Sequence, residues 1–184
     1  MQTRPWIGWL VAGTMVALTL AMHRVETETR ITGGTAAQQA VARWAVGRFT
    51  ANELDLPSLQ VRFHEDRIGC DGRSGIYRNG AADICGVHVN WISRRALLHE
   101  MAHAWVEANV SADLEARFLR LRQLETWDDY DVEWEARGTE HAAEIISWAL
   151  DGQQTGIRQA SIPRNDPAEL AAGYELLTGH PLPD

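Results

Sequence analysis

The chain of 184 residues is 45% hydrophobic and 23% charged, the proportions of a packed globular protein that fits one domain of ordinary size. Its formal net charge of −8, with no basic stripe along the sequence, argues against a nucleic-acid partner, which needs clustered Lys and Arg to displace counterions from phosphates.

After Arg4, the stretch from Trp6 to Met22 carries no charged side chain before His23 and Arg24. Such a run reads either as a cleaved export signal or as an anchor at the lower limit for spanning a bilayer. Thr19 and Ala21 offer a mediocre cleavage site, whereas Trp6 and Trp9 suit the aromatic belt of an anchor, so the balance leans toward a tethered extracytoplasmic protein. Residues 1–24 are thus expected to be signal or anchor and the sole membrane contact. Residues 25–34, polar with adjacent Gly33 and Gly34, read as a linker, and residues 35–184 as the folded domain.

Ala37, Val41, Trp44, Ala45 and Phe49 recur at helical spacing after Thr35. Leu59, Val61 and Phe63 then alternate with Gln60, Arg62 and His64, as in a half-buried strand. Residues 66–83 are dense in Gly, Asp and Asn, include an Asn-Gly pair, and read as turns. Cys70 and Cys85 are expected to pair across this stretch in an oxidising compartment, a closure that stabilises by about 3 kcal/mol. A second strand is expected over "ICGVHVNWI". Ser93 then caps a helix running to about Asn109, with Ile92 packing on Leu97 as a staple. Further helices are expected after Ser111, after Thr139 as far as Gly152, and from Asp166-Pro167 through Leu177.

The helix from Ser93 contains "LLHEMAHAW". Residues four apart share a helical face, so His99 and His103 can aim ring nitrogens at one point, and Glu100 can reach a water on a metal there without ligating it. Leu97, Leu98, Met101, Ala102 and Trp105 make the helix largely apolar, and polar groups buried without partners are costly. A catalytic zinc site needs a third protein ligand and an open water position. Val106 and Asn109 rule out the metzincin continuation. The stretch also looks similar to the active helix of SprT-like proteases, but the nearby third histidine of that group is absent. Downstream, "TEHAAE" places Glu140 and Glu144 on one face, where they repel unless a cation or a histidine N–H lies between them.

With both strings in place, the chain resembles the gluzincin branch of the zincin metallopeptidases, over roughly residues 86–150. The resemblance implies a small α+β zincin-like domain, mainly helical, with a short β-sheet before the HExxH helix. It implies one Zn²⁺ ion held by His99, His103 and Glu140, with Glu144 orienting His99 and Glu100 as general base in hydrolysis of a peptide or protein substrate. Aspartate is usual where Glu144 stands, so the two carboxylates can exchange roles. His141, Tyr130 and Arg137 are conceivable oxyanion donors, although His141 fits a surface or supporting place better, and the other two fit ordinary loop residues. His64 and His88 read as structural. The strand "GVHVN" is placed to pair with an extended substrate, as the resemblance also implies. A non-catalytic metal-binding domain that holds a partner protein at the membrane is the alternative.

Overall fold

The computed structural model describes residues 28–86, 89, 91–152 and 160–183. The apolar segment 6–22, His88 and most of "GVHVN" lie outside them, as does the side chain of Ile92. Among the described residues no helix is long and apolar enough to cross a membrane.

Among the described residues the fold is α+β, with five α-helices and a four-stranded sheet ordered β1-β2-β4-β3. Strand β1 (Thr29–Thr32) pairs parallel with β2 (Leu59–His64), and α1 (Ala36–Ala51) forms the crossover between them. Thr35 starts α1 through a capping box: its Oγ1 accepts from the Gln38 N–H at 3.2 Å, and Gln38 Oε1 accepts from the Thr35 N–H at 2.7 Å. The stretch read as a linker therefore supplies an edge strand. Four residues with two threonines are too short and polar to announce themselves, and their partner lies a whole crossover away.

Strands β3 (Gly75–Arg78) and β4 (Ala81–Cys85) form an antiparallel hairpin where only turns were expected. Asn79 and Gly80 turn the chain with φ of 52° and 72°, the left-handed pair that a two-residue hairpin requires. Because β2 pairs with β4 in parallel, β4 is central and β3 is the edge. The second strand thus ends at Cys85, earlier than the alternation in "ICGVHVNWI" suggests. Cys70 and Cys85 form a disulfide that ties a short 3-10 turn, Ile68–Cys70, to the end of β4.

Helix α2 (Trp91–Asn109) begins before Ser93, so Ser93 lies within its first turn and does not cap it. Ser111 does cap α3 (Ala112–Arg122), accepting from the Leu114 N–H at 3.4 Å. Helix α4 (Gly138–Leu150) starts one residue before Thr139, with Arg137 at the cap position. Asp166 caps α5 (Pro167–Thr178), which has proline in its first turn. One face of the sheet, through Leu59, Val61, Ala82 and Ile84, meets Phe49 of α1 and Leu97, Leu98 and Met101 of α2 in a continuous core. Helices α2 and α4 pack against each other, and Ala102 of α2 and Ala142 and Ala143 of α4 are fully buried.

The other face of the sheet is polar. There Asp83, 1% exposed, receives Arg62 through Nε at 2.8 Å and Nη2 at 2.7 Å, and lies 2.6 Å from His64 Nε2. Burial pushes the Asp83 carboxyl up, but its bonds to Arg62 and His64 outweigh that and hold it below the usual carboxylate range. His64 is structural, as its place on β2 suggests.

Candidate metal centre

Helix α2 puts His99 and His103 one turn apart on the face that meets α4, and their Nε2 atoms approach to 3.1 Å. Glu140, in the first turn of α4, brings Oε2 to 3.1 Å from both. The amino end of a helix favours a carboxylate at that position. The three form a near-equilateral triangle of lone-pair donors, a group that can hold a metal ion. The spacing fits, because ligand atoms about 2.0–2.1 Å from a tetrahedral ion stand about 3.3 Å apart. Two imidazoles and one carboxylate suit a divalent transition ion better than calcium or magnesium, which prefer all-oxygen sets.

The electrostatics show the same convergence. Burial pushes Glu140 up, but hydrogen bonds and charge from His103 and His99 override it and hold its carboxyl well below the ordinary range. For His103, burial opposes the charged form, yet Glu140, Glu100 and Asp128 together raise its pKa. Three groups arranged to share positive charge are arranged equally well for a cation in place of that proton.

Glu144 lies behind His99 and takes no part in the triangle. Its Oε2 is 3.3 Å from His99 Nδ1, near enough for an ion pair but off the line of a well-formed hydrogen bond. Its Oε1 accepts from the Ser161 N–H at 2.7 Å, and the Arg95 guanidinium pairs with the same oxygen. Of the two carboxylates, Glu140 is the one that converges with both histidines.

Glu100 is 7% exposed and points toward β3, where the Tyr77 backbone N–H favours its charged form. Burial dominates and raises its pKa, against the lowering effect of His99 and His103. The fit is close: a Cβ on Gly75 would stand 2.8 Å from both Cγ and Oε1 of Glu100.

Of the three conceivable oxyanion donors, His141 and Arg137 are engaged elsewhere, whereas Tyr130 lies within electrostatic reach of Glu140: burial, then the charges of Asp128 and Glu140, raise its hydroxyl pKa. His141 is 1% exposed and engaged on both ring nitrogens: Nε2 lies 2.8 Å from the Glu135 carbonyl, and Nδ1 accepts from Arg122 Nε at 3.3 Å. It is thus neither at the surface nor facing the triangle, because it sits about 100° round α4 from Glu140. Arg137 donates to the Val132 and Tyr130 carbonyls and lies over the Tyr130 ring at 4.8 Å, so it holds its own loop together. Tyr130 is 75% exposed.

Two aromatic walls escaped the sequence reading. Trp134, on the short 3-10 turn Trp134–Ala136 before α4, stacks on His99 at 6.1 Å between ring centroids. Tyr77 of β3 lies parallel to His103 at 6.3 Å and donates its hydroxyl to Glu107 Oε2 at 2.5 Å. Burial, followed by Glu107, pushes the Tyr77 hydroxyl up to about 12. Glu107 extends the stripe of His99 and His103 by one more turn, a signal that helical spacing carries; nothing in the sequence separates Tyr77 or Trp134 from other core aromatics. In comparisons with protein-family models, curated proteins and solved structures, nothing matches the chain.

Proposed function

We propose that the chain is a zinc-dependent peptidase acting outside the cytoplasm, with His99, His103 and Glu140 as the ligands of one Zn²⁺ ion. The observation that carries this reading is Glu100, a buried carboxylate next to three convergent ligands that it does not join. A site that only stores or displays a metal has no need of that group. When bound, zinc acidifies a water molecule and polarises a carbonyl.

The chain's own residues supply the rest. Glu100, whose pKa burial raises, accepts the proton of the attacking water and returns it to the leaving amine. Glu144 keeps the His99 ring turned so that Nε2 faces the ion. An extended substrate pairs with β3, a sheet edge beside Glu100. Trp134 and Tyr77 lie against the rings of His99 and His103 and limit the entry of water. The Cys70–Cys85 disulfide accords with an oxidising compartment.

The test is Glu100→Gln in the full chain. It keeps one zinc per chain and loses cleavage of a mixed peptide library by about 10²–10⁴-fold; equal cleavage by both proteins overturns the reading.

A further inference from the structure

A groove of about 600 Å³ lies on the polar face of the sheet, turned away from the helices and the metal centre, at the start of β1 and β2 beside the β3–β4 turn. Its backbone walls are satisfied: the Leu59 N–H donates to the Glu28 carbonyl at 3.3 Å, and the Gln60 N–H to the Gly80 carbonyl at 3.0 Å. Side chains are therefore what it offers a ligand. Arg30, Arg62 and Arg78 project into it from three different strands.

The three guanidiniums are not equivalent. Arg78 donates through Nη2 to the Gly69 carbonyl at 2.9 Å and pairs with Asp71 at 3.6 Å, so it serves as a wall. Arg62 is fixed by its two bonds to buried Asp83 through Nε and Nη2, which leaves Nη1 directed away from that carboxylate. Arg30 is exposed and makes no ion pair or side-chain hydrogen bond among the described residues. Ser58, Gln60 and Asn79 add uncharged donors on the same lining. A donor surplus built around one pre-oriented guanidinium matches an anion with several acceptor oxygens, and the planar fork of Arg suits phosphate. In a chain of net charge −8 such a place is distinctive. The volume exceeds that of an inorganic ion, and Glu28 at the rim can accept from hydroxyl groups.

We propose that this groove binds the phosphoester of a small polyol, with Arg30 and Arg62 on the phosphate and Glu28 on the polyol hydroxyls. A free polyol phosphate and the glycerol headgroup of phosphatidylglycerol share this chemistry, which phosphatidylcholine, without headgroup hydroxyls, does not offer. The site is independent of the metal centre.

The experiment uses the full chain held in phosphatidylcholine nanodiscs. Calorimetric titration with glycerol 3-phosphate shows saturable binding, absent with glycerol, if a free phosphoester is the ligand. In nanodiscs containing phosphatidylglycerol, slowed hydrogen exchange at residues 29–32 and 79–81 marks the lipid headgroup instead. Either signal falls tenfold or more in Arg30→Gln, an exposed substitution that leaves the thermal midpoint unchanged, and also in Arg62→Gln. The proposal is overturned if neither probe gives a signal, or if the signal survives intact in Arg30→Gln.

Discussion

Glu144 stands at the back of His99, with Oε2 3.3 Å from Nδ1, while the Ser161 N–H and the Arg95 guanidinium grip its other oxygen. With Glu144 beside Nδ1, the opposite ring nitrogen, Nε2, faces Glu140. Two carboxylates on one helical face thus have different consequences when removed. Glu140→Ala abolishes stoichiometric metal, because two histidines alone leave the set a ligand short. Glu144→Ala keeps a site but weakens it by about 10–100-fold, the usual cost of losing the group that orients a ligand. Metal per chain, measured across a series of chelator concentrations, separates the two; full retention in Glu140→Ala shows the ligand assignment to be wrong.

Gly75→Ala probes Glu100 without touching it. The added methyl group meets Glu100 Cγ and Oε1 at 2.8 Å, so the carboxylate must move. Overpacking of this kind costs about 1–3 kcal/mol. Metal content stays at the wild-type level, whereas peptide cleavage drops, and unchanged cleavage would show that the position of Glu100 is immaterial.

Asp83 gives the fold a pH dependence. Its pKa is lowered in the folded state by Arg62 and His64, against burial, so its contribution is present above the unfolded value, near 3.9, and is lost as pH falls through the lower folded value. Urea denaturation of the wild type and of Asp83→Asn therefore gives midpoints that differ most at neutral pH and converge below about pH 4. A gap that does not narrow at all as pH falls below about 4 would assign the effect to packing.

The disulfide closes a sequence separation of 15 around β3. Replacing both Cys70 and Cys85 by Ala lowers unfolding free energy by about 3 kcal/mol. Because β3 carries Gly75 and Tyr77, cleavage suffers in the same variant even at temperatures where it remains folded, which activity assays beside circular dichroism would detect.

The parts of the centre that lie on helices are legible from spacing. His99 and His103 four apart, and Glu140 and Glu144 four apart, need only the period of the helix to share a face. Ser111 and Asp166 likewise announce their helices, and Cys70 and Cys85 announce their pairing. Legibility fails where structure depends on a distant partner. Thr29–Thr32 becomes a strand because β2 lies beside it, and Gly75–Arg78 becomes one because Asn79 and Gly80 fold it back on β4. For the same reason Tyr77 and Trp134 could not be assigned to the site: each reaches it from an element whose place tertiary packing decides. His141 misleads in the opposite way, being adjacent in sequence to Glu140 but directed into the Arg122 and Glu135 contacts.

Between His99 and His103 lie Met101 and Ala102, and beyond Glu140 lie Ala142 and Ala143, all four with no exposed surface. The ligands thus sit on the same two helices whose buried side chains hold the core together. A motion that spread His99 from Glu140 would have to unmesh α2 from α4, so the centre has no private hinge, and any adaptation to a guest falls to the loop that carries Trp134. An ion bridging the two helices acts in turn as a rivet for the whole fold, raising its melting temperature in proportion to the logarithm of free metal.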